Sequence, residues 1–403
     1  MAYDIAVIGA GVAGVFAALR LAERHKRAKV LLLDLGRPPA KRRRQLEGWL
    51  GCFPGSDGKI YPADLDKVSD LVPRRTARAA QRYFYRALEE AGALKLKEEK
   101  GPSKVVLERA AEAGFEVVTH SHFQWEPAQI HILSRLITDK ITAVGNVELS
   151  FDNEVQSFAR INDSFCVTTE EGDFNAERLI LCPGRSGWRW ANDQFRRLGL
   201  LAADDVMTAG VMAEIAAQHM GPFDASHCSF VKDTLSVGPL SWNGSVIQED
   251  HEDFTTAAFR SNERRWKSER VFFRVLSRFP RKGEGTAQTD RLAKLAFLLA
   301  NDRVGREKTR HLQRGTSPLL AVPEFGWLPE ALEEIEAIVP DVVRRGYFHF
   351  PAISTITSEI NLGPNLETEM PGVFAAGETA GVRGVQAAAL TGIVAADSAG
   401  RDL

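Results

Sequence analysis

The chain opens on a short, mostly apolar, β-branched stretch, Tyr3 to Ile8, which reads as a buried strand. A glycine-rich turn follows, and then apolar residues at Val15, Ala18, Leu19 and Leu21 recur with the spacing of one helix face. Lys29 to Leu35 reads as a second strand and completes a βαβ unit. Arg74 to Ala91 is an amphipathic helix, because apolar Ala77, Phe84, Leu88 and Ala91 are separated by arginines. From Phe115 to Leu181 the rhythm changes to short strands, FEVVTH, VELSFDNEV, SFCVTTEEGDF and ERLILCPG, with one helix from Gln129 to Ile141. Between Arg189 and about Arg345 the pattern weakens, with strands expected near Ser229 to Ser236 and charged helices at Thr255 to Phe279 and Thr289 to Leu299. From Tyr347 the order of strand, glycine turn and helix returns. This grammar predicts an α/β chain with a discontinuous first domain, residues 1–188 and 346–403, and an α+β domain, 189–345, inserted in it.

Composition narrows the picture by exclusion. A formal net charge of -2 makes no global demand for a polyanionic partner. Cys52, Cys166, Cys182 and Cys228 form no C-x-x-C pair, which argues against a zinc site, an iron-sulfur cluster or a disulfide framework and predicts a reduced, cytoplasmic setting. No apolar run approaches the roughly 20 residues that span a bilayer, so a soluble chain without membrane contact is expected.

The string V-I-G-A-G-V-A-G sets Gly9, Gly11 and Gly14 at the spacing of a dinucleotide fingerprint. Gly9 allows the tight turn out of the strand, Gly11 lets backbone amides approach a pyrophosphate, and Gly14 lets helix and strand pack closely. Asp34, at the end of the second strand, is the acid expected on the adenosine ribose hydroxyls, and it disfavours a 2′-phosphate. This half of the pattern serves NAD and FAD equally.

Near the C-terminus, M-P-G-V-F-A-A-G-E-T-A-G-V-R-G-V-Q-A-A-A-L reads as a strand from Gly372 to Ala376, an acidic turn at Gly377 and Glu378, and a small-residue helix beginning near Gly384. Glu378 is placed to accept a hydrogen bond from a cofactor hydroxyl, and the amides of Val385 and Gln386 to stabilise negative charge. The pairing of the two ends resembles FAD proteins of the glutathione-reductase-like type. The strings P-G-S-D-G-K-I, C-P-G-R-S-G-W-R-W and T-I-T-S-E-I resemble, more narrowly, the bacterial and archaeal group of uncharacterised FAD-dependent dehydrogenases. The resemblance implies a Rossmann-like FAD-binding domain of parallel sheet plus β-meander, with 189–345 as its substrate domain. It also implies cofactor contacts from Gly55, Ser56 and Lys59 in the loop after the second strand, from Val155 at the adenine, and from Gly184 where the chain re-enters the FAD domain.

FAD would carry the electron chemistry, in hydride transfer between flavin N5 and an organic small molecule, so few side chains are diagnostic. Lys59, His349 and Cys52 are the candidates for a catalytic role, and His120 with His122, lacking a third ligand, give no metal site. No second G-x-G-x-x-G occurs between Gly187 and Tyr347, so the electron donor or acceptor is expected to be external, NAD(P)H or a redox protein. The stretch 260–314 is rich in arginine and lysine, including Arg264, Arg265, Lys267, Arg270, Lys294 and Arg306, with Trp266, Phe272, Phe273 and Phe279 interleaved. It leaves open an action on nucleic acid or another polyanion. The alternative is a solvated basic helix face paired with the acids around Glu333, Glu334 and Glu336. A non-catalytic flavin protein is the remaining alternative.

Overall fold

A computed structural model of the chain describes residues 2–42, 46–204, 206–221, 223, 227–260, 268–354 and 359–403. It divides into two compact units, one of Met1–Lys95, Phe123–Asp204 and Ile356–Leu403, the other of Leu96–His122 and Asp205–Thr355. Two stretches fall differently from the reading of the sequence. Glu116–Thr119 pairs antiparallel with Cys228–Lys232, and Tyr347–Ile353 pairs antiparallel with Val206–Ala216, so both belong to the second unit. Pairing partners distant in sequence decide this, and strand propensity does not specify them.

The first unit is built on a mixed sheet. Strand β1 (Ala2–Ile8) lies parallel to β2 (Val30–Leu33) on one side and to Gly172–Leu181 on the other. Val147–Ser150 extends the sheet beyond β2, and Val373–Ala375 pairs parallel with the end of Gly172–Leu181. The start of Gly172–Leu181 turns back through Ser164–Thr169 and Val155–Ile161 as an antiparallel meander. Side chains along Ile5–Ile8 alternate between two cores, Ile5 and Val7 to one, Ala6 and Ile8 to the other, as the two-residue period of a strand requires. Helix α1 (Val12–Arg24) covers the first face together with the C-terminal helix Val385–Ala399. Helices α2 (Asp64–Ser69) and α3 (Arg74–Ala91) close that side, with Phe16 edge-on to Phe84 at 5.1 Å between ring centres. Burying each such ring contributes about 2–3 kcal/mol.

The second unit is an antiparallel sheet ordered Gly305–Lys308, Tyr347–Ile353, Val206–Ala216, Arg270–Pro280, Leu235–Val237, Cys228–Lys232 and Glu116–Thr119, with Ser241–Trp242 also on Arg270–Pro280. Helices Gly285–Leu299 and Leu328–Ile338 contribute to its main core. The expected helix over Thr255 to Phe279 is instead two strands, Thr255–Arg260 and Arg270–Pro280. Arg270, Arg274 and Arg278 recur every fourth residue and imitate the polar stripe of a helix. Yet Val271, Phe273 and Val275 enter one core while Phe272 enters another, as on an interior strand. Arg264, Arg265, Trp266 and Lys267 lie outside the described residues.

Gly14, in the first turn of α1, sits so close to β1's exit that an added Cβ would overlap the carbonyl oxygen of Gly9. Gly14→Ala is therefore expected to lower the unfolding free energy by about 2–3 kcal/mol, read as a lower urea midpoint at unchanged slope. An unchanged midpoint would contradict the tight helix–strand contact.

Candidate functional site

The parallel ladder aligns the ends of four strands. Ile8 lies opposite Leu33 and Leu181, and Leu181 opposite Ala375, so the segments that follow leave one edge of the sheet together. That edge, at the carboxyl ends of parallel strands, is where α/β sheets bind ligands. Here the segments surround a cavity of about 260 Å³. Gly11, Val12 and Ala13 form one wall, at the start of α1, whose first-turn amides have no helical acceptor and face an approaching anion favourably. A Cβ on Gly11 would meet nothing within 4 Å, so the backbone there borders open space.

Asp34 borders the cavity and is 8% exposed. Its Oδ2 accepts from the amide of Ala10 at 2.5 Å, and its Oδ1 from Gly36 at 2.7 Å and Gly48 at 3.0 Å. One carboxylate thus pins the glycine loop to the segment after β2. Burial raises its pKa, against the pull of the same three amides. Gly48, Gly51 and Cys52 continue the wall, and Arg42 donates to the carbonyls of Trp49 (2.6 Å) and Gly51 to hold that loop.

The next segment carries Ser56, Asp57, Lys59 and Tyr61. Lys59 Nζ pairs with Asp57 Oδ2 at 2.7 Å and is largely buried. Ser56 Oγ donates to Phe53 O at 2.8 Å. Burial holds the Tyr61 phenol well above its ordinary range, with Asp57 and Asp64 adding to the shift. After Gly172–Leu181, Cys182, Pro183, Gly184, Arg185 and Ser186 reach the cavity, and burial raises the Cys182 thiol. The C-terminal segment supplies Gly377 and Glu378, then Arg383, Gly384 and Val385. Glu378 Oε1 lies 3.5 Å from Arg185 Nε, and Thr391 Oγ1 accepts from the Gly377 amide at 2.9 Å.

Of the residues singled out in the sequence, Gly11, Asp34, Cys52, Ser56, Lys59, Gly184, Gly377, Glu378, Gly384 and Val385 border one cavity. Gly9 and Gly14 support it from behind. Gly55, Val155 and Gln386 are not on its wall; Val155 pairs with Thr169 in the meander, and Gln386 is buried with Nε2 on Pro62 O at 3.0 Å. Asp57, Tyr61, Arg185 and Arg383 escaped the sequence reading, although Asp57, Arg185 and Arg383 each lie inside a glycine-bearing string that carried the resemblance.

His349 belongs to the second unit. Its Nε2 lies 2.6 Å from Oε2 of Glu214, a carboxylate also bound by Arg306 Nη2 at 3.1 Å and Arg270 Nη1 at 2.6 Å. Arg306 stacks 3.7 Å above the Tyr347 ring. Within the basic stretch Lys294 pairs with Asp253 and Asp290, while Glu334 pairs with Lys232 and Glu336 accepts the amides of Asp341 and Val343. Among the described residues, Glu334 and Glu336 thus have partners outside that stretch. Among the described residues no group of His, Cys, Asp and Glu is arranged to hold a metal, and no helix is long and apolar enough to cross a membrane.

No family model matches the chain, and no curated protein matches it. Among solved structures the chain is similar to glycine oxidase from Geobacillus kaustophilus, at 17% identity over 100% of this chain and 95% of that one, TM-score 0.46. It is similar to NikD, an unusual amino acid oxidase essential for nikkomycin biosynthesis, at 15% identity over 100% and 95%, TM-score 0.45. It is similar also to pyridoxine 4-oxidase from Mesorbium loti, at 13% identity over 98% of each, TM-score 0.44. Function is therefore argued from the site's own residues.

The Glu214 cluster sets a pH dependence for the second unit. Burial raises the Glu214 pKa, but hydrogen bonds and charge from His349 and Arg306 outweigh it and bring it from 4.5 to about 2. A carboxyl depressed in the folded state stabilises above its unfolded pKa and loses that contribution as pH falls through the folded one. Glu214→Gln is expected to cost roughly 2–3 kcal/mol near neutral pH, after allowance for the part-exposed arginines. In denaturant titrations the gap from wild type should shrink between pH 4.5 and about 2. A gap independent of pH would rule out this account.

Proposed function

We propose that the chain is an FAD-dependent oxidoreductase and that the cavity at the sheet edge holds the cofactor. What carries this reading is the convergence of the N-terminal glycine loop and the C-terminal segment Gly377–Val385 on one cavity. A dinucleotide that only needed the first βαβ unit would not require the distal segment. The donor set suits an extended, doubly anionic ligand. Gly11 leaves room at the backbone, two helices begin at the wall, and Lys59, Arg185 and Arg383 supply cations.

In this reading the start of α1 takes the diphosphate, with Lys59 and Arg185 offsetting its charge. Asp34 keeps the glycine loop in place and offers its remaining lone pairs to ribose hydroxyls. Glu378, held by Arg185, accepts from a hydroxyl nearer the flavin. Bound FAD would supply two-electron chemistry, hydride transfer at N5. Lys59 and Cys52 on the cavity wall, and His349 in the Glu214 network of the second unit, are the candidates to hold a proton. The substrate is a small organic molecule, and electrons pass to or from an external partner, NAD(P)H or a redox protein. The glutathione-reductase-like placement and the dehydrogenase assignment belong to the same proposal. The engagement of Arg270, Lys294 and Arg306 by acids of their own unit gives no support to a polyanion substrate.

Purified protein should carry a flavin absorption band or acquire one from added FAD, with a rise in Tm that grows with FAD concentration. Gly11→Ala is expected to keep the apoprotein within about 1 kcal/mol of wild-type stability. It should nonetheless weaken FAD at least tenfold, about 1.4 kcal/mol, by filling the approach. Absence of both the band and the Tm shift would overturn the cofactor assignment. Anaerobic mixing with NADH and with NADPH then identifies or excludes a nicotinamide donor.

A further inference from the structure

The C-terminal helix Val385–Ala399 begins after Gly384, which has no side chain with which to cap it. Asp64, at the start of α2, occupies that position from elsewhere in the chain. Its side chain is 3% exposed, and Oδ1 accepts from Lys67 Nζ at 2.8 Å. Oδ2 lies so close to Gly384 that a Cβ there would overlap it, and it makes no hydrogen bond of ordinary geometry. The amide of Ala387, in the helix's first turn, pulls on the same carboxylate. Lys67 Nζ also reaches Arg383 O at 3.5 Å. The start of α2 is thus tied to the turn 383–387, while Arg383, Gly384 and Val385 border the cavity.

We infer that Asp64 is a positioning residue that fixes the Gly384–Val385 wall and, by placing a buried negative charge at that helix terminus, lowers the reduction potential of the flavin bound beside it. The inference rests on the FAD reading. A helix N-terminus carries about half a positive charge and favours electron-rich groups near it. A carboxylate buried in its first turn offsets that field, and protonating the carboxylate restores it. Lys67, from the same helix, and the phenols of Tyr61 and Tyr85, from the preceding loop and α3, are the other titratable groups that act on or with Asp64. Burial holds both phenols high, Tyr85 at about 12, so they stay neutral. Burial also raises the Asp64 carboxyl, against Lys67 and the Ala387 amide.

The test is the midpoint potential of FAD-loaded wild type and Asp64→Asn, followed spectroelectrochemically from about pH 5 to about pH 8. Asparagine keeps the shape and removes the charge. At the upper end the variant should favour the reduced form tenfold or more, a positive shift of about 30 mV for a two-electron couple. The gap should narrow as pH falls toward the Asp64 pKa, which burial raises. A purely structural role would change FAD affinity or Tm without this pH-dependent gap. Equal potentials at every pH, with FAD bound, overturn the inference alone; wild type that takes up no FAD overturns it together with the cofactor reading. If the variant does not fold, the wild-type profile decides. A segment steeper than that of free FAD supports proton uptake by Asp64 on reduction, and a profile parallel to free FAD overturns it.

Discussion

The site depends on parallel pairing. Strands that run side by side in one direction deliver their carboxyl ends, and whatever follows them, to a single edge of the sheet. In this chain the four strands so aligned end at Ile8, Leu33, Leu181 and Ala375, positions spread over almost the whole sequence. Closure of the cavity is therefore a consequence of register. A one-residue slip of Val373–Ala375 would exchange its inward and outward faces and carry Gly377 and Glu378 away from the glycine loop.

Register alone would leave a ring of polar loops with charges buried at the sheet edge. The structure resolves that electrostatic problem locally. Asp34 is satisfied by three backbone amides from the glycine loop and the segment after β2, Asp57 by Lys59, and Glu378 by Arg185. Each acid on the wall thus orients a donor or a cation, and the wall as a whole is held in shape before any ligand arrives. Such preorganisation reduces the ordering cost of binding. Any ligand at this edge would meet groups whose geometry is already set by their partners.

Legibility followed the range of the interactions. The positions of Gly11, Gly14 and Asp34 were readable because they are set within one βαβ unit, and the C-terminal turn because it repeats the same strand, turn and helix order. Amphipathic α3 was readable from its period, with bounds that match the sequence reading. Arg270–Pro280 was not, since arginines every fourth residue imitate a helix on a strand whose opposite face, with Val271, Phe273 and Val275, enters the core. Tyr347–Ile353 was assigned to the wrong unit because its place depends on a ladder with Val206–Ala216. Asp64 carries no motif at all. Its meaning comes from a glycine far along the chain, whose missing side chain leaves the space that the carboxylate fills.

The same dependence on partners bears on His349. A histidine among aromatics in the sequence becomes, in the fold, one arm of a network centred on a buried carboxylate. Its Nε2 is directed at Glu214, whose carboxyl the same contact and Arg306 hold well below its ordinary range. Arg270 and Arg306 bind the same carboxylate from strands on either side, so the imidazole's orientation is fixed by groups that neither sequence position nor hydropathy connects to it. The place of His349 is thus a property of the Glu214 network as a unit.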